Sequence, residues 1–124
     1  MNKRILVLDD DVDFLECVSN ILENAGCTVI PFRQLSTPEE ILEKCPDCII
    51  LDEVLPSISG HTICIILKRI QANRHNIPIV LMSGLADLAA RARLCDADAF
   101  IQKPFKSNDE FIQLIQDTVD RGAA

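Results

Sequence analysis

At 124 residues, 48% of them hydrophobic, the chain has the size of one domain and the apolar content for a core of its own. Its 19 acidic and 12 basic side chains give a net charge of −7, and the Lys and Arg residues form no stripe, which argues against direct nucleic-acid binding. No apolar span is long enough for membrane insertion, and Ile5–Leu8 is too short for a signal peptide, so the expected location is the cytoplasm.

In chain order the pattern alternates strand and helix. Arg4 to Leu8 reads as a first strand, followed by a helix from about Asp13 to Asn24 with Phe14, Leu15, Val18, Ile21 and Leu22 at helical spacing. Gly26 stands where a helix-ending glycine would, and Cys27 to Phe32 is the second strand. Thr37-Pro38-Glu39-Glu40 predicts a short helix with Thr37 as N-cap and Glu40 closing a capping box, ending near Lys44. The third strand is Cys48 to Asp52, the loop Leu55–Gly60 follows, and a well-buried helix spans about His61 to Ala72. Pro78 opens the fourth strand. An alanine-rich helix with a thin apolar face is predicted over about Leu85 to Leu94 and should be the loosest. The fifth strand is Ala99 to Gln102, and Ser107–Glu110 is a second capping box that opens the last helix. The core runs from about residue 3 to 120, in a single domain spanning 1–124, with 121–124 expected to fray.

Such an alternation predicts an α/β fold, a doubly wound flavodoxin-like parallel sheet of order 2-1-3-4-5 with five helices, because βαβ crossovers are right-handed. The strand-like runs end in Asp9-Asp10, Asp52, Ser83 and Lys103-Pro104. Ligands of open α/β sheets bind beyond the carboxyl ends of the strands, so these groups should converge. Each alone has an ordinary reading: the acidic pair as a solvated turn, Asp52 as a loop cap, Ser83-Gly84 as a turn, Lys103 as a surface lysine. Together they form a site for a hard cation and a phosphoryl group. Three neighbouring carboxylates repel, a divalent cation relieves them, and oxygen-only ligands favour Mg²⁺. A carboxylate can attack phosphorus to give an aspartyl phosphate, a lysine can neutralise the equatorial oxygens, and Ser83 can donate to another of them.

Cys17, Cys27, Cys45, Cys48, Cys64 and Cys95 all have apolar neighbours and no export signal, so they are expected to be reduced core thiols. Cys45-Pro46-Asp47-Cys48 has the spacing of redox and zinc sites. Zinc needs four ligands, however, and His61, His75 and the other cysteines supply no second paired spacing. A redox pair normally opens a helix, whereas this one precedes a strand.

The chain resembles a response-regulator receiver domain of two-component signalling, similar to the chemotaxis regulators. The resemblance rests on Ile5–Asp11, Pro46–Asp52, Leu55-Pro56 with Gly60, Pro78–Gly84 and Ala97–Phe105. It implies Asp52 as phosphoacceptor, Mg²⁺ held by Asp9, Asp10, Asp52 and the Val54 backbone carbonyl, and Lys103 paired with the phosphoryl group. It further implies that Ser83 swings toward the phosphoryl group, that Phe100 turns inward behind it, and that the fourth helix, fifth strand and fifth helix form the output face. From position alone, Phe100 reads as core. The implied donor is a histidine kinase or histidine phosphotransfer protein, and the implied target a downstream protein or effector domain. Such a chain catalyses its own phosphorylation and dephosphorylation rather than turning over a substrate. Asp96 stands where the family usually has glycine, and Gly84 where alanine is commoner. Val54 and Leu85 are apolar at positions that influence water attack on the aspartyl phosphate.

Two other readings compete. Asp9-Asp10-Asp11-Val12 is similar to the opening motif of haloacid-dehalogenase-type phosphatases, with Asp9 as nucleophile and Asp11 as acid/base, but that reading leaves Asp52 without a role. A pseudo-receiver that only docks to partners is the other.

Overall fold

The computed structural model describes residues 1–72 and 76–123. His75 and Ala124 lie outside them. Five strands, β1 (Arg4–Leu8), β2 (Thr28–Phe32), β3 (Cys48–Asp52), β4 (Ile79–Ser83) and β5 (Ala99–Gln102), alternate with five helices, α1 (Val12–Asn24), α2 (Glu39–Glu43), α3 (Gly60–Ile70), α4 (Leu88–Cys95) and α5 (Asn108–Ala123). The sheet is parallel throughout and ordered β2-β1-β3-β4-β5, as the sequence predicts. Among the described residues no helix is long and apolar enough to cross a membrane.

The pleat explains why the strands are apolar at every position. Ile5, Val7, Cys48, Ile50, Val80 and Met82 point to one face and pack with Leu15, Val18 and Leu22 of α1 and Phe111, Ile115 and Val119 of α5. Their neighbours Leu6, Leu8, Ile49, Leu51, Ile79 and Leu81 point to the other, against α2, α3 and α4. A strand covered on both faces carries no polar alternation. β5 lies at the edge and does alternate: Ala99 and Ile101 are partly buried, Phe100 and Gln102 exposed.

Helix ends follow local chemistry, with some departures from the predicted bounds. Asp11 caps α1, its Oδ1 accepting the N–H groups of Asp13 (3.1 Å) and Phe14 (3.2 Å). Glu40 Oε1 accepts the N–H groups of Ser36 (2.7 Å) and Thr37 (2.9 Å), so only the glutamate half of that capping box forms; the Thr37 hydroxyl makes no cap bond and the helix begins after Pro38. α3 starts at Gly60 behind its cap Ser59 and ends at Ile70. α4 is shorter than predicted: Leu85 to Asp87 form a turn, because no side chain caps the helix and nothing in the polar-alanine pattern marks its start. It ends at Asp96, which takes the left-handed conformation (φ 57°) that a glycine there would adopt freely. α5 runs through Ala123.

Four cysteines, Cys27, Cys48, Cys64 and Cys95, are core thiols. Cys17 and Cys45 are exposed instead, Cys17 on the outer side of α1 and Cys45 in a left-handed turn before β3. Cys48 is wholly buried, and burial pushes its thiol up to about 12.

Candidate functional site

Strand geometry carries the charged side chains to one edge. Asp9 continues the face of Ile5 and Val7, Asp52 that of Cys48 and Ile50, and Lys103 that of Ala99 and Ile101. All three therefore project on the α1/α5 side beyond the ends of β1, β3 and β5. Lys103 Nζ donates to Asp9 Oδ2 at 2.9 Å and lies 3.2 Å from Asp52 Oδ1. Asp9 is fully buried, Asp52 nearly so, and Asp10 faces solvent. One carboxylate oxygen from each of these three aspartates lies within 4.8 Å of the others. Asp9 Oδ1 also accepts the Asp11 N–H at 3.0 Å, which fixes its orientation.

An aromatic floor, not foreseen in the sequence, supports the lysine. Its Nζ sits 4.0 Å from the Phe14 ring centroid, close enough for cation–π attraction. Phe14 meets Phe105 edge-on at 5.7 Å, and Phe105 stacks on Phe111 at 4.4 Å. Phe14 reads in the sequence as one more apolar position of α1; nothing in the helical spacing distinguishes it.

The remaining site residues are at the same edge but not in the charged contact. The Ser83 hydroxyl is buried and accepts the Leu85 N–H at 3.1 Å, holding the β4–α4 loop. Val54, two residues after Asp52, has an exposed side chain. Phe100 is 43% exposed on the outer edge strand, beside Ala89, Ala92 and Arg93 of α4, so its positional reading as core is corrected. Glu53, which nothing in the sequence singles out, is a fully buried carboxylate pointing the opposite way from Asp52. As the second acid after an apolar run, it reads as the start of a loop.

Burial raises the Asp52 carboxyl to about 6, helped by Asp9 and Asp10 and opposed by Lys103. The sign is that of a strained acid. The folded protein holds the Asp52 proton where the unfolded chain has lost it, so metal-free stability falls as pH rises from about 4 through about 6 and stays reduced above. Asp52→Asn should therefore stabilise the protein in EDTA at pH 7.5, on the order of 2 kcal/mol, with the gain vanishing near pH 4. Urea unfolding at the two pH values measures it.

The donor set fits a hard divalent cation: three clustered carboxylates, one of them raised to about 6 by burial and by its acidic neighbours. The profile of the response regulator receiver domain family matches residues 5–116. The chain belongs to the response-regulator receiver family. The receiver is 33% identical over 112 residues to the phosphate regulon transcriptional regulatory protein PhoB of Klebsiella pneumoniae, covering 88% of this chain and 48% of PhoB. It spans about half the length of the curated relatives it matches. A CheY-like receiver from Methanospirillum hungatei superposes with a TM-score of 0.80 at 25% identity, over 99% of this receiver and 98% of that chain. A BeF3-activated DrrB receiver domain superposes with a TM-score of 0.77 at 26% identity, over 97% and 99%. Receivers bind Mg²⁺ at an acidic pocket, and the cluster present here is Asp9, Asp10 and Asp52. Family membership replaces the phosphatase reading; Asp11, its acid/base, is engaged in capping α1.

Proposed function

We propose that this receiver accepts a phosphoryl group on Asp52 from a histidine kinase or histidine phosphotransfer protein, and that loading shifts the α4–β5–α5 face toward an output partner. The observation that carries the reading is the Lys103 ammonium placed between Asp9 and Asp52 at 2.9 and 3.2 Å. That contact puts a fixed cation where charge builds on a transferring phosphoryl group.

In the transfer, one Asp52 oxygen forms the new bond to phosphorus as the bond to the donor imidazole nitrogen breaks. The bonding pair returns to the imidazole, which is left neutral on proton uptake. Asp9, Asp10, Asp52 and the Val54 backbone carbonyl would hold Mg²⁺, which when bound supplies positive charge to the carboxylates and the phosphoryl oxygens. Lys103 stays on the site, exchanging its Asp52 contact for the phosphoryl group. Ser83 leaves the Leu85 N–H to donate to a phosphoryl oxygen, and Phe100 turns in from its exposed position. The active arrangement gains only through these differential contacts. The described residues act as one receiver unit, and the acidic chain passes its signal in the cytoplasm to a downstream protein or an effector domain rather than holding DNA itself.

Calorimetric titration with Mg²⁺ tests the cation half of the reading: binding in the wild type, and loss of at least about tenfold in affinity in Asp10→Asn and Asp52→Asn. No Mg²⁺ binding at millimolar concentrations would favour a docking-only pseudo-receiver. The aspartyl phosphate should also be long-lived. Val54 is exposed and Leu85 half-buried beside the site, and neither can orient a water for attack. With Mg²⁺ present the label should persist for minutes; its loss within seconds would contradict the assignment of those two positions.

A further inference from the structure

Glu53 has no role in the chemistry above, yet it is the most heavily bonded carboxylate among the described residues. It follows Asp52 directly, and the pleat turns it to the α3/α4 face, continuing Ile49 and Leu51. Its side chain is wholly buried. Oε1 accepts the His61 N–H at 2.7 Å, and Oε2 meets His61 Nδ1 at 2.6 Å and accepts from Arg91 Nη1 at 2.8 Å. The His61 contacts bind the first turn of α3. The Arg91 contact reaches across to α4, where Arg91 Nε also donates to Asp87 Oδ2 at 3.0 Å.

α4 has little else. Only Leu88, Ala92 and Cys95 are buried, Leu94 is 73% exposed, and no side chain caps its N-terminus. Gln102 Nε2 of β5 donates to the Leu85 carbonyl at 3.0 Å, and two further polar tethers hold the start of α4: Ser83 Oγ to the Leu85 N–H, and Glu53 to Arg91. One originates on Ser83, and the other on the residue that shares a peptide bond with Asp52. A hydrogen bond to a buried charged group is worth more than a neutral surface one, and removing one partner exposes the cost of burying the other.

We infer that Glu53 is a positioning residue which, through Arg91, ties the position of α4 to the state of Asp52. The inference rests on the reading of Asp52 as acceptor. Loading draws Ser83 off the Leu85 N–H, and the Glu53–Arg91 pair then sets how α4 answers.

Hydrogen exchange read by mass spectrometry tests this on the whole chain with Mg²⁺, with and without beryllofluoride. Arg91→Met should speed exchange of the 88–95 amides about tenfold without beryllofluoride, leave α1 and α5 unchanged, and abolish any further α4 response to beryllofluoride. Arg91→Lys should restore part of the protection, and Mg²⁺ affinity should stay within about twofold of wild type. Wild-type exchange of α4 in Arg91→Met, or equal acceleration of every helix, would overturn the inference. So would a beryllofluoride response of α4 that survives intact in Arg91→Met. Lack of any beryllofluoride response in the wild type would overturn the acceptor reading, and the coupling with it.

Discussion

Lys103→Met should lower the rate of phosphoryl loading from acetyl phosphate by at least about a hundredfold, the usual effect of removing one fixed donor from a site where anionic charge develops. The substitution keeps the length of the stem over Phe14 and removes only the ammonium that contacts Asp9 and Asp52. Two consequences separate it from a folding defect. The Asp52 carboxyl, now without the one group that lowers it, should titrate above about 6 in the metal-free protein. Addition of Mg²⁺ should restore carboxylate ionisation but not the loading rate, because a cation bound by the carboxylates does not replace a donor aimed at the phosphoryl oxygens. Carboxyl titration by NMR alongside the rate of adduct formation checks both. A rate within a few-fold of wild type would remove Lys103 from the site.

The second large effect is structural. Gly60→Ala should destabilise the fold by about 3 kcal/mol, since its Cβ would overlap the carbonyl oxygen of Asp52 and crowd the Glu53 backbone. The close approach exists because Gly60 opens α3 against the end of β3 and donates its N–H to the Glu53 carbonyl at 3.0 Å. Backbone cannot swing aside as a side chain does, so α3 must retreat from the strand that carries Asp52. Loading should fall along with stability. Gly84→Ala is the contrasting control: an added Cβ there meets only the Lys103 carbonyl oxygen, at 3.7 Å, and the change should stay within about 0.5 kcal/mol. Urea midpoints of the two variants measure the difference. Equal midpoints would mean that the helix is not seated on β3 as described.

The fold was legible because the strands here are uninterrupted apolar runs that stop at polar residues. Ile5–Leu8, Cys48–Leu51 and Ile79–Met82 leave no doubt about direction or end, and the connecting helices are long enough to force parallel pairing. Strand ends then place Asp9, Asp52 and Lys103 without further information. What escaped was set by tertiary context. The start of α4 is unmarked because Leu85-Ala86-Asp87 favours helix locally, while the Ser83–Leu85 bond holds a turn. Phe100 looked like core because an aromatic in an apolar strand usually is; the predicted order already put β5 at an edge, but did not say that its α4 flank is open. Glu53 was invisible because its partners, His61 and Arg91, are 8 and 38 residues away. Cys17 and Cys45 were expected in the core with the other cysteines, yet Cys17 faces outward from α1 and Cys45 sits in the turn before β3. Asp96 signals its left-handed turn only through the family's usual glycine.

The central claim is that Asp52 takes the phosphoryl group, and the most direct measurement is intact mass after incubation with acetyl phosphate and Mg²⁺. The account predicts one added phosphoryl group on the wild type, and none on Asp52→Asn or on the wild type in EDTA. An adduct of equal yield on Asp52→Asn, or no adduct on the wild type even with a phosphohistidine donor protein supplied, would contradict it.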